Sequence, residues 1–170
     1  MSHHKQPDNS TLWTIIITVI LTIIIVAGIS WAGKNEKNGV ASLSISQLQT
    51  AESSYDFGDV SMADGKVTKV FSVKNNTVQN IVAKKLYTSC MCTKATLIKN
   101  KEIFGPFGMP AHGFISGFEA IIEPGQEAQI EAVFDPAAHG PAGVGPIGRD
   151  VILETSDGKV TLSFKANVMP

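Results

Sequence analysis

Cys90 and Cys92 are the only two thiols in the chain, and a single residue, Met91, separates them. On an extended strand, residues i and i+2 point to the same face about 7 Å apart. A disulfide across so short a segment closes a small strained ring and is disfavoured by Cα geometry. If the backbone bends there, both sulfurs can instead face one soft metal ion. The other candidate ligands are Met91, Met109, His112 and His139. Thiolate, thioether and imidazole together suit copper, Cu(I) above all. Zinc would take two thiolates and two imidazoles, which the chain can also supply. The metal candidates are therefore Cys90, Cys92, Met109, His112 and His139, with copper as the ion. The plainer alternative is that the cysteines fill a core, as free cysteines commonly do, and that each histidine bonds a backbone carbonyl. A redox thiol pair is the least favoured reading, because no helix N-terminus stands beside the cysteines to lower a thiol pKa.

Little other chemistry is legible. Asp56, Asp59 and Asp64 cluster near a turn and read as solvated acids rather than an acid–base pair. No Gly-rich phosphate loop leads from a strand into a helix, and no nucleophile elbow or Ser-His-Asp set stands out. Asn9-Ser10-Thr11 and Asn75-Asn76-Thr77 fit the glycosylation sequon, a pattern short enough to arise by chance. The formal net charge of −1 and the lack of a basic cluster argue against a nucleic-acid partner. No enzyme is expected, and no catalytic residue.

The elements that must position these residues divide the chain in two. Residues 12–32 read LWTIIITVILTIIIVAGISWA without a charge. As a helix this run spans roughly 30 Å, the hydrocarbon thickness of a bilayer. Trp13 and Trp31 stand at its two ends, where indole favours the headgroup boundary. Residues 12–33 are therefore expected to be one transmembrane helix after a short tail, residues 1–11. A cleaved signal peptide is the rival; the run is long for one, although Ala27, Gly28, Ser30, Ala32 and Gly33 supply small residues near its end. Thr14, Thr18 and Thr22 share one helix face and are expected to bond back to their own helix carbonyls. Lys5 on one side and Lys34 and Lys37 on the other nearly cancel the positive-inside rule. The domain is placed outside the cytoplasm because a short tail and one helix usually act as a signal anchor.

A polar linker, residues 34–40, leads into residues 41–170, where the period is two. Val160, Leu162, Phe164, Ala166 and Val168 alternate with Thr161, Ser163, Lys165 and Asn167, a half-buried strand. Residues 151–155 form its partner, joined through Ser156-Asp157-Gly158-Lys159 as a tight hairpin. Residues 66–74, 81–89, 93–98 and 127–134 read as further strands, and Leu43 and Ile45 begin a first one. About seven short strands at this spacing imply an all-β sandwich of the immunoglobulin type. Two stretches break the rhythm, residues 102–118 and 135–149, both rich in Gly and Pro and too long for hairpin loops. Phe104, Phe107, Phe114 and Phe118 in the first must pack against something.

Several motifs occur in order: Tyr55-Asp56-Phe57-Gly58-Asp59-Val60, Phe71-Ser72-Val73-Lys74-Asn75, Thr88-Ser89-Cys90-Met91-Cys92-Thr93, Ile122-Glu123-Pro124-Gly125-Gln126, Val133-Phe134-Asp135 and a closing Ala166-Asn167-Val168. From about Tyr55 to Val168 the chain resembles the bacterial domain-of-unknown-function family 1573, related to ASH-type modules. The resemblance implies a seven-stranded immunoglobulin-like sandwich, commonly in exported or envelope proteins, and brings no established activity. It departs from the family where Met91 replaces the usual Gly and where residues 102–118 lengthen a connection. The expected function is a membrane-tethered, extracytoplasmic binding module that presents a loop surface to an envelope protein or polymer. The alternative is a soft-metal protein.

Overall fold

The computed structural model describes residue 13 and residues 15–23, 45–111 and 114–170. The chain divides into two compact units, Met1–Ala41 and Ser42–Pro170. In the first, residues 15–23 are helical and their isoleucines and leucine are exposed. Thr18 Oγ1 donates to the Ile15 carbonyl and Thr22 Oγ1 to that of Val19, both at 2.8 Å, so these hydroxyls do bond back to their own helix. Thr14 lies outside the described residues. Among the described residues no helix is long and apolar enough to cross a membrane. Most of the expected span, residues 12–33, falls outside them.

The second unit is a sandwich of two five-stranded sheets. Its strands are β1 Leu48–Thr50, β2 Ser54–Ser61, β3 Val67–Asn75, β4 Ile81–Thr88, β5 Thr93–Lys99, β6 Glu102–Phe107, β7 Gly117–Ile122, β8 Glu127–Phe134, β9 Gly145–Thr155 and β10 Lys159–Met169. One sheet runs β1-β3-β8-β5-β6 and the other β2-β10-β9-β4-β7. Every pairing is antiparallel except β2 with β10.

Alternation builds the core as the sequence requires. Val160, Leu162, Phe164, Ala166 and Val168 of β10 are all buried, as are Ala128, Ile130, Ala132 and Phe134 of β8. Phe71, Leu97 and Ile130 from one sheet meet Leu86, Ile122, Leu153 and Leu162 from the other in a single cluster. A second cluster is made of Val60, Cys90, Cys92, Phe134, Phe164, Ala166 and Val168. The expected β9–β10 hairpin forms, with the Thr155 amide donating to the Gly158 carbonyl at 2.8 Å. Asp157 in that turn also takes the Ser46 hydroxyl at 2.8 Å and the Gln47 amide at 2.9 Å, which ties the domain's N-terminal segment to it. Pro124-Gly125 makes the turn before β8, where Gly125 has φ +77°, a conformation glycine adopts without a Cβ penalty.

Three expectations need correction. Among the described residues there are ten strands rather than seven, because β2, β6 and β7 lie in segments without clean alternation. Residues 102–118 are not a single loop: they contain β6 and the start of β7, held by aromatic stacking. The Phe118 ring lies 5.2 Å from both Phe104 and Phe107, nearly parallel to each, and all three pack on the larger core cluster. Phe114 does not join them and is 73% exposed. The first strand begins at Leu48, and Ile45 makes only an isolated parallel bridge to Lys159. Leu43 is outside the described residues.

Candidate functional site

The Cys90-Met91-Cys92 segment is the turn that carries the chain from β4 in one sheet to β5 in the other. The Thr93 amide donates to the Cys90 carbonyl at 3.2 Å and closes a β-turn. The buried Thr88 hydroxyl braces it from beneath, 2.9 Å from the Cys90 carbonyl and 3.1 Å from that of Thr93. Because the segment is a turn rather than a strand, the two Cα atoms stand 5.3 Å apart, within the range a disulfide spans. Cys90 and Cys92 are joined as a disulfide. This corrects the expectation, which assumed extended geometry. Met91 at the tip of the turn is exposed.

Two side chains from distant parts of the sequence converge on the sulfurs. The first is His139. The Asp135 amide donates to the Cys92 carbonyl at 2.9 Å, which fastens the start of the second Gly/Pro-rich stretch to the cysteine turn. The Ala137 amide then donates to Asp135 Oδ1 at 3.0 Å, and a short 3-10 turn follows at Gly140–Gly143. This curl brings His139 Nε2 to 3.1 Å from Cys90 Sγ. Gly143 leaves room here: a Cβ there would lie 3.1 Å from the Cβ of His139, a tight contact.

The second is Arg149, on β9 directly opposite Phe164 of β10. Its Nε donates to Cys92 Sγ at 3.2 Å, and its Nη1 donates to the Gly148 carbonyl at 2.7 Å. The neighbouring Asp150 locks β9 to the turn: its carbonyl accepts the Ser89 amide at 2.9 Å, and its amide donates to Ser89 Oγ at 2.8 Å. Sequence reasoning missed Arg149. The available signal was composition, since it is the only arginine in a chain with fourteen basic residues. A fixed planar donor suits a site where lysine does not.

Of the five expected metal ligands, the structure gathers three. The donor atoms of Cys90, Cys92 and His139 all lie within 4.8 Å of one another. Met109 is half exposed and lines a different hollow of about 250 Å³, with Leu86, Tyr87, Phe107 and Phe114. His112 lies outside the described residues. Below the sulfurs sits an apolar floor, where Phe164 makes ring contacts of 5.4 Å with both Phe57 and Phe134. The arrangement can therefore do two things. As a disulfide it braces the end of the sandwich; once reduced, it offers two sulfurs and an imidazole to one ion.

The model of a family described as a protein of unknown function (DUF1573) matches residues 48–105. That span supports a domain of this kind and includes both cysteines, but it stops short of His139 and Arg149. No curated protein matches the sequence. Among solved structures, a protein of unknown function from Porphyromonas gingivalis W83 shares the fold at TM-score 0.52 and 13% identity, over 78% of this chain and 51% of that one. The chain thus spans about half the length of that relative. The ASH/PapD-like domain 7 of human CEP192 matches at TM-score 0.45 and 9% identity, over 72% and 85% of the two chains. The E. coli chaperone DraB matches at TM-score 0.37 and 9% identity, over 72% and 54%.

Proposed function

We propose that this chain is a non-enzymatic, immunoglobulin-like interaction module of the bacterial envelope, held outside the cytoplasm by an N-terminal membrane helix over residues 12–33. The observation that carries the reading is the loop between β6 and β7. There Phe114 is 73% exposed and Met109 is 49% exposed around the hollow of about 250 Å³. Apolar side chains in such a position leave water only when something docks on them, and aromatic residues and Met are enriched at the centres of protein interfaces. The partner this surface suits is an envelope protein or polymer that inserts an apolar group into the hollow. The tether rests on the uncharged run of residues 12–32 and on the helical, apolar-surfaced residues 15–23. The disulfide supports the compartment, since disulfides persist where thiols are not kept reduced. Substituting Phe114→Ser with Met109→Ser tests the surface. Capture of envelope partners should fall at least about tenfold, the effect of losing anchor contacts, with thermal unfolding unchanged. Undiminished capture would remove this loop as the docking surface.

A second reading is favoured by one observation, the convergence of Cys90, Cys92 and His139. Two sulfurs and one imidazole fit Cu(I), whereas zinc would need a fourth donor. Reduction must come first, because sulfurs bonded to each other have no thiolate to offer. The test is retention of one Cu(I) per reduced chain against a chelating competitor, with retention lost in Cys90→Ser/Cys92→Ser. No retention by the reduced chain would eliminate the metal reading.

A further inference from the structure

We propose that the Cys90–Cys92 disulfide is a thiol–disulfide exchange centre, with Cys90 the sulfur that is attacked and Cys92 the sulfur that leaves. The inference stands apart from the docking surface and needs no metal. It arises from an asymmetry at the two sulfurs. Cys92 is 3% exposed, sits on the aromatic floor and receives the Nε–H of Arg149 at 3.2 Å. Cys90, the less buried at 8% exposed, takes only the neutral Cys92 amide at 3.3 Å, and its side-chain neighbour at 3.1 Å, His139, is exposed to solvent. Approach from solvent is therefore to Cys90, while the cation waits at Cys92. Rates of such exchange depend on which sulfur is attacked and on how readily the other departs as a thiolate. A guanidinium beside the departing sulfur stabilises its developing negative charge. The expectation against redox chemistry rested on the lack of a helix N-terminus. Arg149 supplies the positive charge from another strand.

The step balances with a dithiol as reductant. Its thiolate attacks Cys90 Sγ, the Cys90–Cys92 bond breaks, and a mixed disulfide to Cys90 forms. The electron pair leaves on Cys92 Sγ, against Arg149. The second thiolate of the reductant then attacks its own sulfur in the mixed disulfide. This releases Cys90 as a thiolate, which takes a proton from solvent with His139 Nε2 in hydrogen-bonding range. Two electrons pass from the dithiol to the chain, and the dithiol becomes a disulfide. The fitting partner is a dithiol, for which dithiothreitol is the probe.

The full chain in detergent is treated with dithiothreitol under native conditions, quenched with iodoacetamide, and its free thiols are counted by intact mass. A parallel sample is given limiting glutathione and mapped by fragmentation. The exchange centre requires reduction of the folded chain, the glutathione adduct on Cys90 and the alkyl group on Cys92. Arg149→Gln should slow reduction roughly tenfold, with Arg149→Lys recovering part of the rate. Reduction only in denaturant, or an adduct on Cys92, would overturn the proposal. So would an unchanged rate in a folded Arg149→Gln chain. The glutathione mapping uses the unmodified chain, so it decides the matter even where the arginine variants fail to fold.

Discussion

Asn75 carries more of the fold than its place at a strand end suggests. It is fully buried, and its side-chain amide donates to the Gln79 and Ile122 carbonyls at 2.7 and 2.8 Å. Its Oδ1 accepts the Thr77 amide and hydroxyl at 2.9 and 2.7 Å. Asn75→Ala strands those carbonyls and is expected to cost about 2–4 kcal/mol, read as a lowered urea midpoint at constant slope. The sequence showed Asn75 only as part of a sequon and of the Phe71–Asn75 motif, because nothing local shows that Ile122 will lie beneath it. The same limit applies at the disulfide site. Cys90 and Cys92 are legible from their rarity and spacing, and His139 from its residue type. Arg149 was not, because its contact with Cys92 is made between the two sheets and leaves no periodic trace.

At the scale of elements, β8, β10 and the second half of β9 were readable because each buries one face with a period of two, whereas the first half of β9, from Gly145, lay in the Gly/Pro-rich stretch read as a loop. The segments β6 and β7 were hidden because Gly and Pro interrupt the pattern and stacked phenylalanines do the holding. Phe118→Ala should therefore cost about 2–3 kcal/mol, since it removes the ring between Phe104 and Phe107. Phe114→Ala, in the same stretch, should change thermal stability by no more than about 0.5 kcal/mol. The β9–β10 hairpin has an acid-sensitive clasp. Burial pushes the Asp157 carboxyl up, but hydrogen bonds from Thr155, the Gln47 amide and Ser46 outweigh this and hold its pKa below the ordinary value. A carboxyl lowered on folding contributes stability at neutral pH. That contribution fades once the pH falls below the ordinary value of about 3.9, and it is gone below the folded-state pKa. Urea midpoints measured from pH 7 down to pH 2 should show this acid limb, and Asp157→Asn should flatten it while lowering stability at pH 7.

The whole molecule joins an apolar N-terminal segment to a sandwich with two distinct features. One is an apolar hollow by the β6–β7 loop, and the other is a disulfide between an arginine and a histidine. The proposed function places both on a domain that meets partners at a membrane surface outside the cytoplasm. The sandwich was legible in the sequence through its alternation, and the expectation of an anchor comes from the twenty-one uncharged residues 12–32. The state of the cysteines was not, because it depends on a turn that only the crossing between sheets creates. The most direct test treats intact spheroplasts with a mild reductant and then with a membrane-impermeant maleimide, and measures the mass of the chain in the membrane fraction. Placement outside the cytoplasm predicts two labels per chain, on Cys90 and Cys92, without lysis. Labelling only after lysis, or a chain found free of the membrane fraction, would contradict it.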